Sequence, residues 1–531
     1  MPTTTDTQWF YLSGGKRNGP LSDEELLAAA DANQLKPDDP VWTNADPEAC
    51  PARDVEGLFA PPTPITEKAQ QPIRTVSPAG PTITCPYCWH RFPSDTALFI
   101  AGHPDLIGDH VLGQFESQRF LPSRFTPDGL AIDAGGVTCP DMACPRCHIR
   151  IPTALFNCKP LFVSIVGAPA SGKSYYLAST TWKLRSTLPK MFNISFTDVD
   201  AQTNQWLHEY EEKLFLQTDV EALQAIVKTE LQASHVYRTV TLNGMPIVLP
   251  LPCMFNLRTD QTDEEADNRC LVLYDNAGEH FQAGQDTAAA PGTQHLAHSE
   301  GVLFFFDLSA DPRMAPCLKE SSIKTMDKSR AHRQDVLLIE TVTRIQRRLG
   351  LNSTTRYKKP FVVVLSKADL LANLDLSDNP WVKLPNGQHA LDMDQIAAFS
   401  YWCRTMLMHT APEIVNTVES FADHVVYIPV SALGHAPDKG GVQPIQIRPQ
   451  WVEAPPLYVL SQLGLIARTT ATIPDLPHAE KVERKGRTLH LTVPGTTNRL
   501  EVPVWYCGHA LSCPTTGTQF RVPELSMIER A

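Results

Sequence analysis

No stretch of this chain is long and apolar enough to span a bilayer. Its longest apolar runs, such as Gly301-Val-Leu-Phe-Phe-Phe-Asp-Leu308, fall far short of the ~20 residues a spanning helix needs. A basic excess is missing as well: 46 Lys and Arg stand against 58 Asp and Glu, for a net charge of −12. That balance argues against bulk binding to nucleic acid or to an anionic membrane surface. The opening residues lack the basic and apolar regions of a signal peptide, so a cytoplasmic protein is expected. No internal repeat is visible. A disulfide framework is not indicated either, because the thirteen cysteines include CxxC pairs, which suit metal ligation in a reducing compartment.

What is present is a 531-residue chain with 42% apolar content, room for three or four domains of ~150 residues. Residues 1–59 form an aromatic-rich unit, and the proline-rich stretch 60–84 reads as an extended linker. Residues 85–150 are bracketed by two cysteine pairs, within an expected domain of 85–159. From 160 to 470, buried-type strands such as LFVSIVG, CLVLYDN, GVLFFFDL, FVVVLSKAD and VVYIPVSA alternate with helical stretches, the pattern of a parallel sheet covered by helices. Leu457, Leu460, Leu463 and Ala467 fall at helical spacing and predict a last helix on that sheet. Residues 471–531 form a β-rich tail, where two alternating segments around a Pro-Gly turn predict a hairpin.

Gly167-Ala-Pro-Ala170-Ser171-Gly172-Lys173-Ser174 fits G-x-x-x-x-G-K-[ST], follows a buried-type strand and opens a helix. Backbone N–H groups of Gly167 and of Ala170 through Tyr175 can face phosphate oxygens, aided by the positive end of the helix. Lys173 would reach the β and γ phosphates, and the Ser174 hydroxyl would hold Mg²⁺. Three further strand ends carry matching chemistry. Asp275 can hold Mg²⁺ through water, and Gly278 can offer its N–H to a γ-phosphate. Ser366-Lys367-Ala368-Asp369 and Ser431-Ala432-Leu433 close the last two. A single [ST]KxD is weak evidence, since Lys and Asp are common at strand ends. Their joint occurrence at successive strand ends is harder to obtain by accident, because open α/β sheets bind ligands at that edge.

In this order the segments resemble the five motifs of Ras-like GTPases, with SKAD a variant of NKxD. The resemblance implies an α/β P-loop GTPase-like domain that binds GTP or GDP with Mg²⁺. Asp369 would then accept from both the ring N–H and the exocyclic amine of guanine, a donor pair that adenine lacks. It also implies catalytic roles for Lys173, Glu279 and His280. The chain departs from the family in three ways. A long insertion separates Ser174 from Asp275, with helical character at AQTNQWLHEYEEKLFLQ and EALQAIVKTELQ. The switch threonine cannot be assigned among Thr229, Thr239 and Thr241. Glu279 stands where many relatives carry a water-orienting Gln, which predicts slow intrinsic hydrolysis completed by a partner or by self-association.

CPYC (Cys85, Cys88) and CPRC (Cys144, Cys147) repeat one pattern, and two such knuckles can complete a tetrahedral Zn²⁺ site. Cys139, His90 and His148 are substitute ligands. Free thiols, or a redox or iron–sulfur role, are the alternatives, and Cys507 and Cys513 read as ordinary thiols. Upstream, Trp9, Tyr11, Gly19-Pro20-Leu21, the capping-box pair Ser22 and Glu25, and Val41-Trp42 resemble a bacterial GYF-type domain. That family's eukaryotic members bind proline-rich peptides on an aromatic groove, although Trp9, Phe10 and Trp42 could equally form a small core.

The complete order is a multidomain chain: a small α+β GYF-like domain, a zinc ribbon with an insertion, then a P-loop GTPase-like domain with helices on both faces of a mostly parallel sheet. This order resembles bacterial double-GTPase proteins of multi-gene conflict, or defence, systems. The implied function is a GTP-dependent regulatory switch acting on protein partners, a second GTPase-like protein among them, without nucleic acid or membrane. An ATP-driven remodelling subunit and a nucleotide-bound interaction scaffold are the alternatives.

Overall fold

The structure, a computed structural model, describes residues 7–32, 34–46, 49–55, 58, 81–219, 223–225, 236–259, 268–275, 294–323, 333–352, 355–372, 374–437, 441–470, 476–486, 488–508, 510–523 and 525–528. It divides into two compact units, Met1–Ser77 and Pro78–Ala531.

In the smaller unit, four antiparallel strands lie in the order Lys16–Leu21, Trp9–Ser13, Pro40–Thr43, Cys50–Pro51, with one helix at Asp23–Asp31. Ser22 caps that helix: its Oγ accepts from the Glu25 N–H at 3.3 Å, and the Glu25 carboxylate accepts from the Ser22 N–H at 2.9 Å. Two otherwise unpaired donors are satisfied reciprocally. Tyr11, Leu26, Ala29, Leu35, Val41 and Leu58 form the core. Phe10 and Trp42 are not part of it. They pair across neighbouring strands on the opposite side of the sheet from Tyr11 and Val41, and both stay half-buried.

The larger unit is a sheet-rich mixed α/β body. Its central sheet has seven strands, labelled here within this unit: β1 (Lys159–Gly167), β2 (Ile194–Asp198), β3 (Cys253–Thr259), β4 (Arg269–Asp275), β5 (Gly301–Asp307), β6 (Phe361–Ser366) and β7 (Val425–Val430). Their order is β2-β3-β4-β1-β5-β6-β7. β4, β1, β5, β6 and β7 run parallel, β3 pairs antiparallel with β4, and β2 at the edge pairs antiparallel with β3. Every residue of β5 and β6 is buried, so both faces of the sheet are covered there. The chain leaves β1 toward β4 on one side and returns to β5 on the other. Strand order therefore reverses beside β1, at the position where open α/β sheets form a crevice.

The two faces of β4 have different covers. Leu271 and Leu273 join the main core, while Cys270, Val272 and Tyr274 pack with Cys85, Cys88, Trp89, Cys144 and Cys147. Period-two alternation in the strand produces this division. The cysteine module begins earlier than its motif: Thr82–Thr84, inside the stretch expected to be linker, is a strand paired with Arg91–Pro93.

Helix α1 spans Lys173–Phe192 and α2 spans Gln205–Phe215, the latter inside the first expected helical insertion. The second lies mostly outside the described residues, as does Thr229. Thr239 and Thr241 are exposed on a hairpin, Tyr237–Leu242 with Met245–Pro250, whose Val240 and Leu249 pack on the cysteine module. The last expected helix is shorter than its spacing suggests. It runs Ala454–Gln462, burying Leu457 and Leu460, and Gly464 at φ +74° turns the chain so that Ala467 is exposed. The tail forms a three-stranded antiparallel sheet, Glu480–Lys485, Thr488–Thr492 and Arg499–Pro503, whose Leu489 and Leu491 share the central core.

The capping pair generates a test of the smaller unit. Ser22→Ala is expected to destabilise it by about 1 kcal/mol, read as an earlier urea midpoint for the Leu26 and Ala29 amide resonances. An unchanged midpoint would show that the cap contributes nothing.

Candidate functional site

Register places several side chains on one edge of the sheet. Ile165 pairs with Asp275, Gly167 with Phe305, Asp307 with Ser366, and Ser366 with Val430. The carboxyl ends of β4, β1, β5, β6 and β7 are therefore aligned.

Gly167 closes β1 against β5. A Cβ there would meet Phe305 Cβ at 2.7 Å and the Phe305 carbonyl at 3.0 Å, so no larger residue fits without movement. The following loop bends through left-handed backbone at Ala170 (φ 59°) and Gly172 (φ 88°) before α1 begins. Lys173 is 7% exposed, and its Nζ donates to the Gly167 carbonyl at 3.0 Å, the Ala168 carbonyl at 2.8 Å and Ser171 Oγ at 3.4 Å. The ammonium thus lies within its own loop, solvated by backbone oxygens. Ser174 Oγ donates to Asp275 Oδ2 at 2.7 Å, joining the first turn of α1 to the end of β4. Tyr175 follows, half-buried.

A second group lies at the ends of β5, β6 and β7. Lys367, in left-handed backbone at φ 60°, directs Nζ to Asp307 Oδ2 at 2.7 Å and to Ser309 Oγ at 2.9 Å. Asp307 Oδ1 accepts from the Ser309 N–H at 2.9 Å and its hydroxyl at 2.7 Å. Gln334 brackets the Asp307 backbone, accepting its N–H at 2.7 Å and donating to its carbonyl at 3.0 Å. Asp369 Oδ1 accepts from Ser431 Oγ at 2.5 Å, and that hydroxyl in turn accepts the Gly434 N–H at 2.8 Å. Ser366 Oγ donates to the Phe306 carbonyl at 3.3 Å, and the Ala432 carbonyl accepts from Ser179 of α1 at 2.8 Å. Leu433 is buried beneath.

The structure therefore gathers Gly167, Ala170, Ser171, Gly172, Lys173, Ser174 and Asp275 around one loop, and Lys367, Asp369, Ser431 and Ala432 around another. The strand ends that carry the two groups, β1 and β6, are two strand spacings apart, roughly 10 Å. Gly278, Glu279 and His280 lie outside the described residues. Asp307, Ser309 and Gln334 were not singled out from sequence. The Asp-x-Ser at the end of FFFDLS was the available signal.

The cysteine cluster is the other chemical centre. Cys85 and Cys147 Sγ are 3.7 Å apart, Cys88 and Cys144 Sγ are 3.6 Å apart, and all four sulfurs lie within 4.8 Å of one another. Four sulfurs about 2.3 Å from a central Zn²⁺ would be about 3.8 Å from each other, so the donors fit a tetrahedral thiolate site. The two knuckles are built alike. Trp89 N–H donates to the Cys85 carbonyl and His148 N–H to the Cys144 carbonyl, each at 3.0 Å, with left-handed backbone at Trp89 (φ 55°) and His148 (φ 59°). The Tyr87 and Arg146 N–H groups each point at the preceding knuckle sulfur at 3.4 Å. Burial pushes the Cys85 and Cys147 thiols well up, while hydrogen bonds from the other thiols, Cys147 foremost, pull Cys144 down.

The substitute ligands are engaged elsewhere. Cys139 donates toward Asp133 and the Val137 carbonyl, His90 stacks on Phe92, and His148 Nδ1 lies 2.7 Å from Asp109 Oδ2. Asp109, His110 and His148 make a second close group of donors, but Asp109 Oδ1 is held by the Val111 and Leu112 N–H groups. That carboxylate orients the His148 ring.

On the smaller unit, the Phe10 and Trp42 rings stack at 6.0 Å, and the Arg17 guanidinium lies over both, 4.5 Å and 5.4 Å from their centroids. Trp9 Nε1 donates to Asp23 Oδ1 at 2.6 Å.

Comparison with known proteins bears on both units. Residues 9–58 match the family described as GYF domain 2, which makes the smaller unit a GYF-like domain. A protein of Mycolicibacterium smegmatis, provisionally named ESX-1 scaffolding and assembly protein SaeC, is 26% identical to this chain over 345 residues. That alignment covers 61% of this chain and 80% of the other. It is longer than the GYF-like unit, so the similarity extends into the α/β body.

Proposed function

We propose that the α/β body is a P-loop GTPase-type domain that binds GTP and GDP, and that the whole chain is a nucleotide-dependent scaffold for protein assembly. One observation carries the reading: the Lys173 loop, the Ser174–Asp275 pair and Asp369 share one sheet edge, beside the reversal of strand order. In this reading Lys173 leaves the carbonyls of Gly167 and Ala168 for phosphate oxygens, and the N–H groups of Gly167 and of Ala170 to Tyr175 complete the cradle. Ser174 and Asp275 would hold Mg²⁺, which neutralises phosphate charge. Asp369 would leave Ser431 for the guanine edge, with Ser366, Ala432 and Leu433 shaping the base end. Asp307 and Ser309 hold the Lys367 ammonium, so that its stem would border that end.

Hydrolysis is proposed to be slow, with Glu279 and His280 near the γ-phosphate and a protein partner completing the site. The module order points to a second GTPase-like chain in that role. Four cysteines would hold a structural Zn²⁺, and the Phe10–Trp42 surface would take a proline-rich peptide, a mode that suits stacked aromatics. The scaffolding role named for the mycobacterial relative supports assembly as the output more than a conflict-system setting.

Three experiments test this. Lys173→Ala should weaken GDP binding to the full chain about ten- to hundredfold, the loss of hydrogen bonds from a charged group. Asp369→Asn should weaken GDP about a hundredfold and improve binding of xanthosine diphosphate, whose ring carries an oxygen in place of the amine. Equal affinity of the wild type for ADP and GDP would defeat the guanine assignment. Protein purified without chelator should contain one zinc per chain, and Cys144→Ser should lose it and melt earlier. Metal-free wild type with an unchanged melting temperature would defeat the zinc assignment.

A further inference from the structure

The Ser174–Asp275 pair lies at the end of β4, and the preceding residue on that strand, Tyr274, faces the cysteine module. Its hydroxyl donates to the Pro86 carbonyl at 2.6 Å and accepts from the Trp89 indole N–H at 3.2 Å. Both partners belong to the first knuckle: Pro86 lies between Cys85 and Cys88, and Trp89 directly follows. Tyr274 is 1% exposed and Trp89 is 5% exposed, so neither bond can be replaced by solvent. The ring is held from its other side as well. His295 of the short helix His295–His298 stacks on Tyr274 with centroids 4.6 Å apart, and His298 stacks on Trp89 at 6.2 Å. Ser164, the register partner of Tyr274 on β1, is hydrogen-bonded to His295 Nδ1.

A strand residue cannot turn without turning its neighbour, because successive side chains leave opposite faces of one pleated backbone. The Tyr274 ring, clamped between knuckle and histidine, therefore restrains the backbone from which the Asp275 side chain leaves toward Ser174. The knuckle backbone is itself fixed by convergence of the four sulfurs, whose donors fit one tetrahedral ion. We infer that the four-cysteine module is a metal-dependent brace for the magnesium-facing end of the nucleotide site, with Tyr274 as the positioning residue between them. This rests on the nucleotide reading above for its consequence, though not for its mechanics. The coupling runs both ways: an arrangement of Asp275 that favours magnesium nucleotide also favours the knuckle geometry that favours zinc.

The test uses the full zinc-loaded chain and two variants: Tyr274→Phe, which keeps its ring and loses only the hydroxyl, and Trp89→Phe, which loses the indole N–H together with half of its ring. Both should retain wild-type zinc content by elemental analysis. In both, amide hydrogen exchange across Arg269–Asp275 should accelerate, by about tenfold for the one buried hydrogen bond lost in Trp89→Phe and by more for the two lost in Tyr274→Phe, with Phe361–Ser366 unchanged. The Mg²⁺ concentration for half-maximal GDP binding should rise about five- to tenfold, while GDP affinity without Mg²⁺ stays put. A purely structural defect would instead lower both affinities. Wild type stripped of zinc should reproduce the exchange change, and added zinc should reverse it. Wild-type exchange in zinc-stripped protein, or wild-type exchange and Mg²⁺ dependence in Tyr274→Phe, would overturn the brace. If wild type binds no purine nucleotide while exchange still responds to zinc, the brace stands and the nucleotide reading fails.

Discussion

The larger unit depends on the parallel pairing of Lys159–Gly167 with a strand on each side. Hydrogen bonding to Arg269–Asp275 and to Gly301–Asp307 sets the register of all three. Because the strands are buried on both faces, a slip of one residue would exchange the two faces and set each side chain against the wrong cover. The register therefore determines where each strand stops. Ser174, Asp275, Asp307, Lys367 and Ser431 come from distant parts of the sequence, and they meet only because five strands end together.

Ending together brings buried polar groups close to one another, and that has a cost unless each finds a partner. The structure meets it locally. Lys173 is taken up by two loop carbonyls, Ser174 by Asp275, Lys367 by Asp307 and Ser309, and Asp369 by Ser431. Each of these bonds is one that a charged ligand could exchange for its own. Under the proposed nucleotide reading, the reorganisation needed to receive a phosphate and a base would be confined to side chains and one short loop. Helix α1 spans the two ends, starting at Lys173 and reaching the Ala432 carbonyl through Ser179.

What could be read from the chain beforehand was local in sequence. Ser22 and Glu25 are three residues apart, and both of their capping bonds are present. The two CPxC pairs are each four residues long, and the structure brings their sulfurs together. The aromatic and glycine-proline positions of the GYF-like unit were likewise visible within some fifty residues, the length over which the family match runs. What escaped depends on register between remote segments. Asp307 matters because it pairs with Ser366, and nothing within its own strand announces that. Tyr274 and Pro86 are separated by 188 positions, so no local pattern could join them. The strand at Thr82–Thr84 was hidden by proline-rich neighbours, and the last helix was overdrawn because apolar spacing continues past the Gly464 turn.

The knuckle sulfurs that face each other lie 56 and 62 positions apart in the chain. Whatever the segment between them does, its two ends are pinned at one point on the face of the sheet. The entropy needed to close such a loop grows only logarithmically with its length, about 0.6 kcal/mol for each doubling. Loop entropy therefore sets little limit on the length of that excursion, and what constrains it is contact: Asp109 holds the His148 ring and Val111 packs with the knuckles. The paired thiols act as a fastening, so that surface carried between them stays anchored to the sheet whatever its length.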